Sequence, residues 1–241
     1  PTIVHLAAEY YPYARTGGLA EAAWGLHRDQ HRSGLHTMAI VPLYRAVREH
    51  LGELQAAGDP FTLQFGGRAE IFRLWRELRP ASETPTCFLQ HDGYFDRAGL
   101  YGENGVDYPD NCRRFASFAA ASVAALPQVT SGPVLLHAHD WHAALAPVYL
   151  RHWYRGQPWF DRIPVVLSVH NGGYQGHFSA EVMPEIGLPW ELFTPDRLEW
   201  YGKTNFLKGG LTHTDMATTV SPTHAEELRT PAGGFGLHEV F

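Results

Sequence analysis

The hydrophobic pattern at the start of the chain predicts a strand, a helix and a second strand. One apolar run with β-branched residues covers positions 2–8, and another covers positions 36–42. Between them, apolar residues recur at helical spacing until Gly34, a typical residue for a helix end. These apolar positions are Leu19, Ala22, Ala23 and Leu26. A strand–helix–strand unit of this kind predicts a right-handed crossover and a parallel sheet.

The middle of the chain has a different pattern. Three shorter segments show the alternation that is typical of strands, and they predict an antiparallel excursion or hairpin. A loop rich in Asp, Gly, Tyr and Asn follows over residues 92–111, and helical spacing resumes from Cys112 to Leu126. The three strand-like segments are residues 60–66, 69–78 and 86–91.

The alternation of strands and helices returns in the second half of the chain. Strands are predicted at residues 133–140, 163–171 and 216–222, and helices at residues 141–154, 179–187 and 203–214. A last helix is predicted to start with Ser221 as N-cap and Pro222 at its first position. No repeat or linker interrupts the pattern. We therefore expect a single α/β domain over residues 1–241, with a Rossmann-like, doubly wound, mostly parallel sheet.

The composition narrows the possible functions. Of 241 residues, 44% are hydrophobic and 18% are charged, which excludes a disordered chain. The net charge of -6 disfavours nucleic acid as a partner. No apolar run approaches the ~20 residues that span a bilayer, and the first residues lack the basic start of a signal peptide, so we expect no membrane partner. Two cysteines without a CxxC pair argue against a disulfide framework and fit a cytoplasmic protein.

Polar clusters follow several of the predicted strands. In doubly wound sheets, ligands bind beyond the carboxyl ends of the strands, so clusters far apart in sequence should meet at one edge. The clusters are residues 9–18, 139–140, 170–173 and 219–222. Their convergence is the strongest indication of a functional site that the residues alone provide.

The first cluster has the features of an anion site. Gly17 and Gly18 let a ligand approach the backbone, and the helix that they open offers unpaired N–H groups. Arg15 adds a planar set of donors that suits phosphate. The spacing matches neither the dinucleotide-binding motif nor the P-loop, so a tight loop with a solvated arginine remains the alternative.

The second cluster contains three histidines, His137, His139 and His142. Such density suggests a metal, but the metallo-β-lactamase pattern requires Asp at the position of Trp141, and we expect no metal. A hydrogen-bonded core histidine is the alternative for His137. Asp140 is expected at the strand tip, where it could accept hydrogen bonds from sugar hydroxyls.

The third cluster places His170 and Asn171 after an apolar strand. A polar pair at this point is costly to bury unsatisfied, so it should meet a ligand or a polar network, with a structural turn as the alternative. Lys203 and Lys208 are the only lysines beside 17 arginines, and a solvated face is their alternative interpretation. The absence of GxSxG disfavours a serine hydrolase of the α/β type.

Taken in order, these clusters resemble bacterial glycogen synthases and plant starch synthases, the retaining glucosyltransferases of family 5 with a two-domain GT-B fold. Single segments are weak signals, but the ordered set covers nearly the whole chain. The matching segments are Ala8-Glu9 with Pro12, Arg15-Thr16-Gly17-Gly18-Leu19-Ala20-Glu21, Asp96-Arg97, Tyr101-Gly102, His137-Ala138-His139-Asp140-Trp141, Ser168-Val169-His170-Asn171, Tyr174-Gln175-Gly176, Asn205-Phe206-Leu207-Lys208-Gly209-Gly210, Thr219-Val220-Ser221-Pro222 and Phe235-Gly236-Leu237.

The resemblance implies transfer of glucose from ADP-glucose to the non-reducing end of an α-1,4-glucan such as glycogen, with retention and with no metal or other cofactor. By resemblance, Asp140 binds sugar hydroxyls, and His170 contacts the donor glucose and offers its backbone carbonyl to the reacting centre. Both are therefore expected to be catalytic. Donor-binding roles are implied for Arg15, Gly17, Gly18 and Asn171. Roles in acceptor binding or structural support are implied for Glu9, Glu21, Asp96, Tyr101, His139 and Lys208.

The chain departs from this family at two positions and in its extent. The family usually carries Lys where Arg15 stands and Asp where Glu21 stands. We expect the chain to be the N-terminal, acceptor-side domain, with the second GT-B domain absent from it and the chain inactive alone. Another GT-B enzyme, of the sucrose-synthase type, and a non-catalytic glucan-binding module remain alternatives, with a metallohydrolase as a distant third.

Overall fold

The computed structural model describes residues 1–49 and 51–241. The strands are β1 (Thr2–Leu6), β2 (Thr37–Pro42), β3 (Leu54–Ala56), β4 (Phe61–Phe65), β5 (Arg68–Glu77), β6 (Thr86–Gln90), β7 (Gly102–Glu103), β8 (Val106–Asp107), β9 (Val134–His139), β10 (Val165–Val169), β11 (His177–Ser179), β12 (Glu199–Trp200), β13 (Lys203–Asn205) and β14 (Met216–Thr219). The helices are α1 (Leu19–Arg32), α2 (Arg45–Arg48), α3 (Asp92–Phe95), α4 (Asn111–Val129), α5 (Asp140–Ala143), α6 (Leu145–Trp153), α7 (Pro158–Asp161), α8 (Val182–Glu185), α9 (Phe206–His213) and α10 (Pro222–Leu228), with a 3-10 turn at Trp190–Leu192.

The central sheet is mostly parallel. Strands β14, β10, β9, β1, β2 and β6 lie side by side in that order, and all their pairings are parallel. Strand β5 joins β6 in the antiparallel sense, and β3 and β4 pair with β5 in the same sense. The predicted fold class is therefore confirmed.

Helices cover both faces of this sheet. His5 on β1 faces helix α1, because its ring stacks on His27 and its Nε2 bonds to Gln30. Val4 and Leu6 point to the opposite face, since side chains alternate along a strand, and both are fully buried. Helix α6 packs against both α4 and α9 on that opposite side. Right-handed crossovers explain why the helices lie on two faces, because the chain proceeds along the sheet in one direction after β1 and in the opposite direction after β9.

The reversal of direction lies between β1 and β9. From β1 the chain proceeds to β2 and β6 on one side, and from β9 it proceeds to β10 and β14 on the other. The loops that follow β1 and β9 separate at this point, which leaves a crevice at the carboxyl edge of the sheet. The fold thus provides a binding position at the edge predicted from the polar clusters.

Some predicted elements have other boundaries in the structure. The predicted helix over 203–214 begins only at Phe206, because Lys203–Asn205 forms strand β13 between β11 and β12. The predicted helix over 179–187 shrinks to Val182–Glu185. The segment 86–91 belongs to the parallel sheet through its pairing with β2, although its neighbour β5 is antiparallel as expected.

Two helices show where side-chain chemistry modifies the pattern. The predicted helix over 141–154 is divided at Ala144, since Pro147 has no N–H to donate to the carbonyl of Ala143. The buried face of α1 contains His27, whereas Leu26 is 39% exposed. The prediction that Leu26 belongs to the apolar face of this helix is therefore wrong. The predicted N-cap of α10 is confirmed, because the Ser221 hydroxyl accepts from the His224 N–H at 3.1 Å.

Among the residues described, no helix combines the length and the apolar character needed to cross a bilayer.

Candidate functional site

A cleft of about 780 Å³ opens at the carboxyl edge of the sheet. The loops after β1, β9 and β10 contribute to its walls, as expected from the topology. The residues predicted from sequence that line it are Glu9, Gly17, Gly18, Tyr101, Asp140, His170 and Asn171. The structure therefore brings together groups that lie up to 162 positions apart in sequence, between Glu9 and Asn171.

The Glu9 carboxylate holds the glycine-containing loop in place. It is 4% exposed and accepts hydrogen bonds from the N–H groups of Thr16 and Gly17 at 2.5 and 3.1 Å. The Thr16 hydroxyl and the Tyr101 hydroxyl donate to its other oxygen at 2.8 and 2.7 Å. Glu9 and Tyr101 thus support the cleft wall.

Helix α1 begins directly after this loop and presents its N-terminus to the cleft. Gly18 occupies the N-cap position and has no side chain to cap the helix, and no side chain among the residues described accepts from the N–H groups of the first turn. Gly17 and Gly18 have nothing within 4 Å of an added Cβ, which leaves open space beside the backbone. This geometry suits the approach of an anionic group.

Arg15 lies at the outer edge of the loop. Its guanidinium is 3.3 Å from the Glu21 carboxylate, and both side chains are largely exposed. Neither residue is among those lining the cleft. An exposed pair of this type contributes ~0–1 kcal/mol, so Arg15 can leave Glu21 for a ligand phosphate at little cost.

Asp140 occupies the tip of β9 in a left-handed backbone conformation, with φ of 55°. Such a conformation is uncommon for a residue with a side chain and is often found at functional sites. Its Oδ1 accepts from the His170 N–H at 2.7 Å and from the Asn171 N–H at 3.4 Å. Burial raises the pKa of Asp140 to about 7, although these two N–H groups act in the opposite direction. Asp140 therefore connects the ends of β9 and β10.

His139 lies behind His170 and does not line the cleft. It is fully buried, and its Nδ1 is 3.0 Å from the His170 Nε2. On its other side, its Nε2 is 3.0 Å from the Nδ1 of His5. Burial lowers the pKa of His170 to about 4 and that of His139 well below its usual value, so both rings are neutral at pH 7.

The imidazoles of His5, His137 and His139 form a stack in the core. Their ligand atoms lie within 4.8 Å of one another, which by distance alone would admit a metal ion. However, the rings are stacked at 14–29° to each other, so their nitrogens do not converge on one point. Both nitrogens of His5 and of His139 are hydrogen-bonded, and His137 Nε2 is 2.7 Å from the Ser168 hydroxyl. This arrangement agrees with the alternative that His137 is a hydrogen-bonded histidine of the core.

His142 is not part of that stack. Its ring stacks on Tyr101 at a centroid distance of 4.9 Å and contacts the Trp141 ring at 4.1 Å. The spacing of three histidines in the sequence therefore does not correspond to one cluster in space. The ring that stacks on both His137 and His139 is His5 on β1, and no sequence pattern indicates this contact.

Two further residues predicted as support lie outside the cleft. Asp96 accepts from the Arg45 guanidinium at 2.7 Å and joins α2 to the end of α3. The Lys208 ammonium is buried and donates to the backbone carbonyls of Pro195 and, at 2.6 Å, Glu199. Both residues act within the fold, and Lys208 fixes the segment that precedes β13.

Several residues of the cleft and its support have no role assigned from the sequence. Trp141, Gln175 and Phe178 line it, and Gln175 accepts from the Asn205 side chain at 2.7 Å. The Tyr174-Gln175-Gly176 segment was a recognisable signal, but Gln30, the partner of His5, had none. A single glutamine on a helix carries no pattern that identifies its partner.

Comparison with known proteins identifies the family. The model of the starch synthase catalytic domain matches residues 2–241. The chain belongs to the starch synthase catalytic domain family. Its relatives include a glycogen synthase of Syntrophotalea carbinolica, 42% identical over 98% of this chain and 48% of that protein. Glycogen synthase 2 of Rhizobium meliloti is 40% identical over 99% of this chain and 48% of its own length.

A solved structure of the same family agrees. The catalytic domain of starch synthase IV from Arabidopsis thaliana, bound to ADP and acarbose, superposes with a TM-score of 0.83 at 31% identity. The match covers 98% of this chain and 48% of that one. The chain thus spans about half the length of the family members that it matches, and it corresponds to the N-terminal, Rossmann-like half of the GT-B architecture.

Proposed function

We propose that this chain provides the acceptor-side half of the active site of a retaining α-glucan synthase. The reaction is transfer of glucose from ADP-glucose to the non-reducing end of an α-1,4-glucan such as glycogen. The observation that carries the proposal is the juxtaposition, in one cleft, of an open helix N-terminus with Asp140 and His170. Family membership supports the substrate class, as does the ADP bound by the Arabidopsis relative.

The proposed roles follow from the chemistry of each wall. Negative charge develops on the leaving diphosphate, and the first-turn N–H groups after Gly17 and Gly18 are placed to stabilise it. Arg15 would leave Glu21 and add a cationic fork to the same phosphates. Across the cleft, Asp140 would accept hydrogen bonds from sugar hydroxyls, and His170 and Asn171 would contact the donor.

The remaining part of the site would come from a second domain. A GT-B active site lies between two domains, and the relatives are about twice as long as this chain. We propose that the second domain supplies the nucleotide pocket and closes over the cleft. On this proposal the 241-residue chain alone binds ligand weakly and has no turnover.

The test measures glucose transfer from radiolabelled ADP-glucose to glycogen by the protein as its gene encodes it. Losing a polar contact to the transition state costs ~2.7–4 kcal/mol, so Asp140→Ala and His170→Ala should each lower kcat by about 10²–10³. Asp96→Ala is the matched control, because Asp96 lies outside the cleft and contacts Arg45. Near-normal turnover by both cleft variants would contradict the proposed site.

Further measurements separate the alternatives. Transfer to fructose instead of glycogen would favour a sucrose-synthase type of enzyme. Glycogen binding without any turnover by the gene-encoded protein would favour a glucan-binding module. Turnover by the 241-residue chain alone would contradict the proposed division of the site between two domains.

A further inference from the structure

A line of hydrogen-bonded side chains runs from the surface of α1 to the cleft. It begins at Gln30, whose Oε1 is 2.8 Å from the His5 Nε2. It continues from the His5 Nδ1 to the His139 Nε2 at 3.0 Å, and from the His139 Nδ1 to the His170 Nε2 at 3.0 Å. His5 and His139 are fully buried, whereas His170 lines the cleft.

Each link of this line requires one donor and one acceptor. A neutral imidazole carries a single N–H, so a ring that donates through one nitrogen must accept through the other. Burial lowers the pKa of His5 to about 3 and that of His170 to about 4, and the pKa of His139 lies well below its usual value. All three rings are therefore neutral, and the direction of one hydrogen bond fixes the direction of the others.

Gln30 sets that direction. Its amide oxygen can only accept, so the proton of His5 is on Nε2 and its Nδ1 is an acceptor. His139 must then donate through Nε2 to His5, and His170 must donate through Nε2 to His139. The His170 Nδ1 is left without a proton, and it is buried without a hydrogen-bond partner among the residues described.

We propose that Gln30, His5 and His139 are positioning residues that hold His170 in the Nε2–H tautomer and leave its Nδ1 unprotonated. In the opposite tautomer the buried Nδ1 would carry a proton without an acceptor among the residues described. The tautomer stands independently of the reaction, whereas its effect on glucose transfer rests on the proposed function.

Neighbouring rings fix the orientation of the line. His27 and His137 stack on His5 at centroid distances of 4.9 Å each, so the His5 ring cannot rotate freely. The line also crosses the sheet from β1 to β9 and the end of β10. The position of His170 is therefore determined from behind the cleft as well as by Asp140, which accepts from its backbone N–H.

The test is a Gln30→Lys variant of the gene-encoded protein. An ammonium can only donate, so it should reverse every link and move the His170 proton from Nε2 to Nδ1. Gln30 is half-buried on a helix, where lysine is well tolerated. Gln128→Lys is the matched control, because Gln128 is an exposed glutamine on another helix, α4.

Long-range ¹⁵N–¹H NMR of ¹⁵N-histidine-labelled protein reports the tautomer directly. We expect His170 to carry its proton on Nε2 in the wild type and in Gln128→Lys, and on Nδ1 in Gln30→Lys. A wild-type proton on Nδ1, or the same tautomer in wild type and Gln30→Lys, would overturn the proposal. The wild-type spectrum alone tests the predicted Nε2–H tautomer of His170, even if the Gln30→Lys variant does not fold.

Kinetics then connect the line to the reaction. We expect kcat/KM for ADP-glucose to fall about three- to tenfold in Gln30→Lys and to stay within about twofold in Gln128→Lys. A reversed tautomer with unchanged kcat/KM would contradict the positioning role. If the wild type transfers no glucose, the proposed function fails, and the NMR experiment still decides whether the line exists.

Discussion

Buried neutral histidines should make the folded chain sensitive to mild acid. Within residues 1–49 and 51–241, five histidines are at most 7% exposed, namely His5, His27, His137, His139 and His142. Burial, reinforced by nearby cationic or imidazole groups, lowers the pKa to about 3 for all of them except His139, whose pKa lies well below its usual value. In the unfolded chain the same side chains titrate at about 6.5.

The sign of the effect follows from proton binding. Below pH ~6.5 the unfolded chain takes up protons that the folded chain refuses, so the free energy of unfolding falls as the pH falls. Each such histidine removes ~1.4 kcal/mol per pH unit, and five together remove roughly 7 kcal/mol. Asp140 opposes them, because its pKa of about 7 in the folded chain lies above its unfolded value and its protonation stabilises the fold. The net loss from these groups is roughly 5.5 kcal/mol per pH unit.

This loss is large compared with the stability of a domain. A total of ~5–15 kcal/mol is typical, so a decrease of about one and a half pH units below 6.5 should remove most of it. We expect the chain to unfold near pH 5. At this pH, ordinary carboxylates remain ionised and contribute little to acid unfolding.

Urea unfolding followed by tryptophan fluorescence measures the effect, because the chain has 7 tryptophans. The free energy of unfolding at constant ionic strength should be nearly constant above pH ~7 and should fall with a slope of about four protons between pH ~6 and ~5. His27→Gln should reduce the slope by about one proton, whereas the exposed His36→Gln should not change it. Equal free energies of unfolding at pH ~7.5 and ~5 would refute the reasoning.

Two further predictions concern single cations. Arg15→Lys in the gene-encoded protein should retain kcat within about tenfold, whereas Arg15→Ala should lose far more in kcat. Because the pair of Arg15 with Glu21 is exposed, Arg15→Ala should change the free energy of unfolding by no more than ~1 kcal/mol. Steady-state kinetics and urea unfolding measure these effects, and wild-type turnover by Arg15→Ala would contradict a phosphate role. Lys208→Met should lower the free energy of unfolding by ~1–3 kcal/mol, because it leaves the carbonyls of Pro195 and Glu199 without their donor. The exposed Lys203→Met is its control, and equal stability of the two variants would show that the buried ammonium does not contribute.

The parallel sheet could be predicted because its strands are local signals. The apolar runs around β1, β9 and β10 are recognisable as buried strands, and the polar residues after them indicate the edge of the sheet where a ligand would bind. The alternation in 60–66 and 69–78 likewise predicts the hairpin of β4 and β5. These inferences need only the residues within one segment and the rules for connecting parallel strands.

The remaining features depend on contacts between distant segments. Strand β13 takes its conformation from pairing with β11 and β12, and nothing within Lys203–Asn205 indicates a strand. Asp140, with its left-handed backbone, accepts hydrogen bonds from residues 30 and 31 positions away. The partner of His5 on β9 is 134 positions away. A single sequence contains no physical signal for such pairs.

The outer strand β14 has a consequence for work with the isolated chain. It pairs with β10 on one side, and within residues 1–49 and 51–241 no strand pairs with its other side. Met216, the first residue of β14, and Val220, which directly follows the strand, are each 59% exposed. An open strand edge with apolar neighbours is a template for pairing with a second molecule, which leads to self-association as concentration rises. A charged residue in place of Met216 would weaken this edge-to-edge pairing without affecting the cleft, and would favour a monodisperse preparation.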